Sequence, residues 1–229
     1  MTAKLSIVIP TLNSENYLCE VLNSLLEGVQ IGLICEVIVS DGGSTDKTLE
    51  IADDAGAILL NGIASRGGQL KRGCGVVRGH WLLVLHADTT LESGWTASVI
   101  EHMNRKKGAA YFRIRFSKGG VMSSFVAGWA NLRARIFSLP YGDQGLLIRT
   151  ADYLKVGGFP DQVLMEDVEI MCRLHQEGVK LYALSHCAYT SSIRFERSGW
   201  FCQGFRNLRA LVLYFAGVSP EKLLEKYRR

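Results

Sequence analysis

The feature that most constrains the fold is a regular alternation of strand-like and helix-like segments over the first ninety residues. Short apolar runs of strand length occur at 5–10, 36–40, 57–60 and 81–85. Helical patterns lie between them at 15–27, 47–55 and 69–78. Parallel strands need a crossover connection, and that connection is usually a helix. The order therefore predicts an α/β fold with a mostly parallel sheet and helices on both faces.

The rest of the chain continues this mixture in a less regular order. Strand-like segments occur at 111–116, 145–149 and 180–184, and helical segments at 121–139, 168–176, 200–216 and 220–228. No internal repeat or low-complexity linker interrupts the 229 residues, of which 48% are apolar. The sequence therefore predicts a single domain over 1–229 with a substantial core.

Two acidic residues follow predicted strands, at the edge where open parallel sheets bind ligands. Asp88 comes after the apolar run 82–85, and Asp41 comes after 36–40. A carboxylate at Asp88 can hold a divalent cation against a phosphate, with His86 on the same face as a second candidate ligand. Asp41 can accept hydrogen bonds from a base or a ribose. The structural alternatives are a helix cap at Asp88, a hydrogen-bonding wall residue at His86 and a turn residue at Asp41.

A second acidic pair and an arginine complete the set of candidate site residues that residue chemistry alone suggests. Glu166 and Asp167 stand between the apolar 163–165 and the helical 168–176. One of the two could take a proton from a hydroxyl group, although two carboxylates at a helix start also gain from the helix dipole. Arg66 opens a helix after the third strand, which favours anion binding; a surface arginine beside a flexible loop is the alternative.

The net charge and the cysteine content limit which binding partners and which cellular compartment are expected. The formal net charge of +4 is too small to indicate nucleic acid, yet it does not repel anionic substrates or lipids. The six cysteines form no C-x-x-C pair, which favours free thiols in a reducing, cytoplasmic compartment. The apolar run 210–218 is too short to span a bilayer.

The C-terminal segment carries an apolar stripe at helical spacing. Its members are Trp200, Phe201, Phe205, Leu208, Leu211, Val212 and Phe215. Arg206 and Arg209 flank this stripe. Burial of Phe205, Leu208 and Val212 against the domain is the main expectation. A helix lying on an anionic membrane surface is the alternative.

Several motifs follow one another in an order that covers nearly the whole chain. They are Ser6-Ile7-Val8-Ile9-Pro10-Thr11-Leu12-Asn13, the segment 36–46, His86-Ala87-Asp88, Gly157-Gly158-Phe159-Pro160 and Met165-Glu166-Asp167. In this order the chain resembles the inverting family 2 glycosyltransferases, which implies a GT-A, Rossmann-like fold with a C-terminal helical cap. It looks most like a small bacterial subgroup with an L-H-A-D motif in place of D-x-D. The subgroup's hallmarks appear as Arg66-x-x-Gln69, Leu85-His86-Ala87-Asp88, Gly142-Asp143-Gln144, Tyr189-Thr190-Ser191-Ser192 with Arg194, and 217–223.

The resemblance implies a role for each matching residue. Asp167 is the expected catalytic base, with Glu166 beside it. Asp88 is the expected metal ligand, and His86 stands where the family has the first Asp of D-x-D, which leaves one carboxylate fewer for the cation. The expected substrate-binding residues are Thr11, Asn13, Asp41, Arg66, Gln69, Asp143, Gln144 and Arg194.

The implied reaction is transfer of a sugar from a UDP- or GDP-sugar to an acceptor hydroxyl with inversion, assisted by Mg²⁺ or Mn²⁺. The acceptor is soluble or lipid-linked, and in the second case the enzyme touches the inner face of the membrane. Residues 1–90 form the expected nucleotide-binding half, 91–199 the acceptor and catalytic half, and 200–229 the C-terminal helices. Two other functions stay open: a sugar-1-phosphate nucleotidyltransferase, although 10–16 lacks the glycine-rich basic loop it needs, and a non-catalytic nucleotide-sugar-binding module.

Overall fold

The computed structural model describes residues 5–105 and 108–228, and in them one mixed sheet is flanked by helices. The strands are β1 (Leu5–Thr11), β2 (Ile34–Asp41), β3 (Ile58–Asn61), β4 (Trp81–Val84), β5 (Thr89–Leu91), β6 (Ala109–Phe116), β7 (Leu146–Arg149) and β8 (Leu181–Thr190). The helices are α1 (Glu15–Ser24), α2 (Leu26–Gln30), α3 (Thr48–Asp54), α4 (Arg66–Cys74), α5 (Trp95–Arg105), α6 (Gly120–Phe137), α7 (Thr150–Lys155), α8 (Glu166–Gln176), α9 (Ile193–Ser198), α10 (Trp200–Phe215) and α11 (Pro220–Arg228). A 3₁₀ turn spans Gly142–Gln144.

The strand order in the sheet is β3-β2-β1-β4-β7-β6-β8-β5. The first four strands are parallel neighbours, as the alternation of elements predicts. β7 then runs antiparallel to β4 and to β6, whereas β6 and β8 are parallel. The prediction of an α/β fold with a mostly parallel sheet is therefore confirmed.

Successive side chains of a strand point to opposite sides of the sheet, and the central strands β1 and β4 are buried on both faces. On β1, Ile7 joins a cluster that includes Leu18 of α1 and Trp95 of α5. Its neighbour Val8 joins a second cluster on the other face, which includes Leu70 of α4. Helices thus cover both faces, and the central strands are fixed with their carboxyl ends along one edge.

The C-terminal helices pack differently from the main expectation. Phe205, Leu208 and Val212 are 67%, 46% and 59% exposed, so the expectation that they are buried against the domain is wrong. α10 instead turns Gln203 and Ala210 inward. The apolar stripe is real, but it lies on the outer side of the helix. Across residues 5–105 and 108–228, no helix combines the length and the apolar character needed to cross a bilayer.

Candidate active site

A cavity of about 630 Å³ opens at the carboxyl edge of the sheet, between the strand ends and the C-terminal helices. Most of the predicted site residues line it, although they come from segments far apart in the chain. They are Thr11, Asn13, Arg66, Gln69, His86, Asp88, Asp143, Glu166, Asp167 and Arg194. The structure therefore brings the predicted site residues together, apart from Asp41 and Gln144.

Asp41 is completely buried and does not line the cavity. Its Oδ1 accepts hydrogen bonds from the hydroxyls of Thr11 (2.8 Å) and Ser44 (2.5 Å), and its Oδ2 accepts from the backbone N–H groups of Gly43 and Ser44 (both 2.7 Å). Burial by itself raises the pKa of this carboxyl, but the bonds from Ser44 and Thr11 outweigh it and lower the pKa below its ordinary value. Since all of its lone-pair positions are occupied, Asp41 shapes the loop instead of contacting a ligand directly, and the sequence expectation is corrected here.

Gln144 also has a structural role. Its side chain is completely buried and does not line the cavity. Its amide donates to the carbonyl of Phe112 and to Asn131 Oδ1, both at 3.3 Å, and its Oε1 accepts from the N–H of Tyr141. These bonds fix the 3₁₀ turn that presents Asp143 to the cavity. The expectation of substrate contact is therefore corrected for Gln144 as well.

Gln69 lines the cavity, but its amide is used within the protein. Nε2 donates to the carbonyls of Thr11 (2.6 Å) and Ser40 (3.2 Å). These bonds tie α4 to the ends of β1 and β2. Asn13 lies at the rim with a left-handed backbone (φ 49°), and its Oδ1 accepts from the N–H of Thr45 at 2.9 Å. The loops after β1 and β2 are thus locked together beside the cavity.

Arg66 stands at the centre of the polar network. Its Nε pairs with Glu166 Oε1 at 2.9 Å, and Glu166 is only 3% exposed. The guanidinium also contacts both ring nitrogens of His86, with Nδ1 at 2.7 Å. Burial, followed by the charges of Arg66 and Arg194, lowers the pKa of His86 well below its ordinary value, so the ring is neutral. The guanidinium lies beside both ring nitrogens, where a metal ion would also have to bind, and the metal-ligand role of His86 stays a prediction.

The first turn of α4 reaches this position through an unusually close backbone approach. The N–H of Gly67 donates to the carbonyl of Gln162 at 3.0 Å. A Cβ at Gly67 would overlap the carbonyl of Pro160, so no other residue fits without a shift. Ser65, the N-cap of α4, donates its hydroxyl to Asp161. The loop 160–162 therefore holds the first turn of α4 in place, so that Arg66 lies next to Glu166.

Three carboxylates that line the cavity influence one another: Asp143, Glu166 and Asp167. Asp167 Oδ2 accepts from the N–H of Gly142 at 2.9 Å and its Oδ1 from the N–H of Val168 at 2.8 Å. Burial raises the pKa of Asp143 to about 6, with a further contribution from the negative charges of Asp167 and Asp88. Burial and the charge of Asp167 also raise the pKa of Glu166, partly opposed by Arg66. Shifts of this kind mark groups that can exchange protons near neutral pH.

Asp88 offers one carboxylate to a cation. Across the residues that the structure describes, no group of three or more His, Cys, Asp or Glu side chains is arranged to hold a metal ion. Mg²⁺ is often bound by one or two carboxylates together with substrate phosphates and water. Asp88 fits that donor set.

The match to a known family settles the class of protein. The family described as Glycosyl transferase family 2 matches residues 6–147. The chain belongs to this family. Poly(ribitol-phosphate) beta-N-acetylglucosaminyltransferase TarS of Staphylococcus aureus is 46% identical over 50 residues, which are 22% of this chain and 9% of that protein. The chain therefore matches only a small part of its curated relative.

Solved structures confirm the GT-A fold of this family 2 member. TarS 1–349 in complex with UDP-GlcNAc aligns with a TM-score of 0.64 and 20% identity, over 82% of this chain and 58% of that chain. Glucosyl-3-phosphoglycerate synthase from Mycobacterium tuberculosis, in complex with Mn²⁺, UDP and phosphoglyceric acid, aligns with a TM-score of 0.60 and 19% identity, over 82% of this chain and 68% of that chain. Another structure of that synthase contains Mg²⁺ and UDP.

Helix α9 and the C-terminal helices of this family 2 chain add cavity residues that sequence reasoning missed. They include Arg197, Gln203, Asn207 and Tyr227. Gln203 Nε2 donates to the Tyr227 hydroxyl at 2.6 Å, and that hydroxyl donates to Asn207 Oδ1 at 2.7 Å. Arg197 follows Arg194 by three residues on α9, so helical spacing could have placed both on one face. No local signal identifies the other three.

Proposed function

We propose that this chain transfers a sugar from a nucleotide diphosphate sugar to an acceptor hydroxyl with inversion at the sugar carbon. The observation that carries the proposal is the cavity itself, in which motifs from β1, α4, β4 and α8 meet. Both cationic side chains and carboxylates line it, as transfer from a diphosphate donor to a hydroxyl requires. Membership of family 2 favours glycosyl transfer over nucleotidyl transfer.

Asp167 is the proposed general base. Two backbone N–H groups fix its orientation, and each oxygen keeps a second lone-pair position for the proton of a hydroxyl. The acceptor oxygen attacks C1 as its proton passes to Asp167, and the bond from C1 to the diphosphate breaks on the opposite face. Such proton removal typically contributes about 10²–10⁴-fold in rate. Glu166 is engaged by Arg66 and serves as a positioning residue.

Arg66 and Arg194 are proposed to compensate the charge of the departing diphosphate. Both line the cavity, and Arg197 lies there too. A Mg²⁺ or Mn²⁺ ion held by Asp88 would supply further charge stabilisation for the diphosphate. Thr11 and Asn13 lie at the end expected to receive the base and the ribose, and Asp143 faces the acceptor side. In this proposal 1–90 binds the nucleotide, 91–199 carries the catalytic residues and 200–229 closes the cavity.

The donor is proposed to be a UDP-sugar, with a GDP-sugar as the alternative. Support comes from similar structures that hold UDP or UDP-sugars. Membership of the L-H-A-D subgroup is proposed from Leu85-His86-Ala87-Asp88 and the other motifs in the sequence. A cytoplasmic location is proposed from the six cysteines, all of which are free thiols. The contact between Arg66 and His86 also favours one rival, a non-catalytic binding module, because a guanidinium beside the ring opposes metal binding by His86.

Release of a nucleoside diphosphate from a panel of nucleotide sugars tests the proposal. The native chain should release UDP from at least one UDP-sugar, while Asp167→Asn should lose about 10²–10⁴-fold in turnover with donor affinity unchanged. Asp53→Asn is the matched control, because Asp53 is an exposed carboxylate outside the cavity. Donor binding without turnover would favour the binding module. Release of pyrophosphate from a nucleoside triphosphate and a sugar phosphate would favour the nucleotidyltransferase.

A further inference from the structure

Two helices expose large apolar side chains on their outer sides. α6 presents Val121, Phe125, Trp129, Leu132 and Ile136, which are 46–85% exposed. α10 presents Phe201, Phe205, Leu208, Val212 and Phe215, which are 46–71% exposed. The spacing within each set is three or four residues, so each set forms one stripe. We call these two stripes together the outer face.

The helices place their small and polar residues inward instead. α6 buries Ser123, Ala127 and Ala134, and α10 buries Gln203 and Ala210. A helix that served only the core would have the opposite orientation. Monomeric proteins rarely expose apolar patches larger than a few hundred Å², and larger patches mark binding surfaces.

The charge on these two helices is of one sign. Neither α6 nor α10 contains an aspartate or a glutamate. Their charged residues are Arg133, Arg135, Arg206 and Arg209. Arg135, Arg206 and Arg209 are exposed beside the stripes, whereas Arg133 stacks on Tyr141 with 3.4 Å between its guanidinium carbon and the ring centroid. An apolar helical face flanked only by arginines complements an anionic lipid surface.

A second copy of the chain fits this charge pattern less well. In a twofold-symmetric dimer the same patch faces itself, so the arginines of one copy would approach those of the other. No carboxylate of α6 or α10 is available to pair with them. Anionic headgroups pair with the same arginines, and the acyl region beneath the headgroups takes up the apolar stripes.

The outer face adjoins the mouth of the cavity. Phe116, Phe195 and Trp200 form an aromatic cluster with ring centroids 4.9–5.1 Å apart. α10 begins at Trp200, and α6 begins four residues after Phe116. Phe116 and Phe195 also line the cavity. A surface seated on the outer face would therefore lie next to the acceptor end of the cavity.

We propose that the outer face docks on an anionic lipid bilayer, and that the acceptor is an amphiphile held in that bilayer. The inference about the acceptor rests on the proposed transfer function. The docking itself does not, because lipid binding can be measured without turnover.

The test is co-flotation of the full chain with vesicles of phosphatidylcholine, with and without phosphatidylglycerol. The stripe variant combines Phe125→Ser, Trp129→Ser, Phe205→Ser and Val212→Ser. A matched control removes exposed apolar side chains elsewhere: Val29→Ser, Ile31→Ser, Val76→Ser and Leu154→Ser. The charge variant combines Arg135→Glu, Arg206→Glu and Arg209→Glu. Circular dichroism and thermal melting establish that each variant is folded.

The native chain and the control should float with anionic vesicles, and the stripe variant should bind at least about tenfold more weakly. Each basic residue near an anionic surface contributes about fivefold, and the three new carboxylates are repelled as well, so the charge variant should bind at least about 100-fold more weakly. Absence of native binding at low salt would overturn the proposal. A native dimer in sedimentation that the stripe variant abolishes, without any vesicle binding, would also overturn it and assign the face to a second copy.

A parallel thermal-shift measurement with UDP separates this proposal from the proposed function. Stabilisation by UDP without vesicle binding would leave donor binding intact and refute the docking. Vesicle binding without any response to UDP or to nucleotide sugars would support the docking and count against the transfer function.

Discussion

Replacing Arg66 with methionine removes the cation from a buried carboxylate while keeping most of the apolar stem. Breaking a buried ion pair by removing one partner typically costs about 3–5 kcal/mol, whereas exposed pairs contribute about 0–1 kcal/mol. Glu166 is 3% exposed but the Arg66 side chain is 33% exposed, so solvent screens part of the interaction. We therefore expect Arg66→Met to lower the free energy of unfolding by about 2–3 kcal/mol at about pH 8. For a domain of this size the melting temperature should fall by about 5–10 °C.

The effect should depend on pH in a defined direction. The pKa of Glu166 is raised above its ordinary value, so the folded chain binds this proton more tightly than the unfolded chain and stability falls as pH rises through that range. Without Arg66 the pKa rises further, because the main opposing positive charge is gone. The difference between variant and native chain should therefore be smaller at about pH 5, where Glu166 holds its proton, than at about pH 8.

Denaturant unfolding of three variants checks this reasoning. Arg66→Met with Glu166→Gln should recover most of the loss, because the double variant leaves no unpaired charge. Arg105→Met is the control, since its partner Glu101 is on the surface and both side chains are exposed; a change of about 0.5 kcal/mol or less is expected. A loss for Arg66→Met that is equal at both pH values and is not recovered by Glu166→Gln would show that packing against His86, not the ion pair, is what the arginine contributes.

Three more changes have distinct expected results. Asp88→Ala should make UDP affinity equal in Mn²⁺ and in chelator, and titration calorimetry that finds no metal dependence in the native chain would remove Asp88 from the metal role. Asp41→Ala should destabilise the chain by about 2–4 kcal/mol, because it leaves several buried donors without an acceptor; denaturant unfolding measures this, and a loss below about 1 kcal/mol would mean that the loop does not depend on the carboxylate. Gly142→Ala should weaken UDP binding at least about tenfold by displacing the His86 ring, which a Cβ would overlap, and unchanged affinity in a thermal shift with UDP would show that His86 does not shape the donor end.

The half of the fold built from β1 to β4 could be predicted because its signals are local. Apolar runs of strand length, turn glycines and helical stripes alternate in the printed sequence. α5 was missed although Trp95, Val99 and Met103 have helical spacing, because Ser98 and His102 occupy buried positions of the same helix. Polar residues at core positions weaken a pattern that depends on apolar periodicity.

The orientation of α10 could not be predicted from its stripe. Periodicity shows that a helix has an apolar side, but it does not show whether that side faces the domain or points away from it. The inward side of α10 is held by Ala210 and by the bonds of Gln203, which depend on Tyr227 of another helix. That contact exists only in the folded chain.

The identity of the site residues was easier to predict than what their side chains do. Asp41 and Asp167 both belong to family motifs, yet the four acceptor positions of Asp41 are filled by the protein, whereas Asp167 accepts one backbone bond on each oxygen. A motif records the residue type at a position. Whether a lone pair remains for a ligand depends on neighbours that the fold supplies.

The close approach at Gly67 sets a limit on how the donor end can be re-engineered. The first turn of α4 and the loop 160–162 touch backbone to backbone, so the two segments form one interlocking part despite their separation in the chain. A loop graft meant to change nucleotide preference must therefore carry both segments together. A library that varies only the segment after β3 would mostly sample chains in which Arg66 points away from its partners.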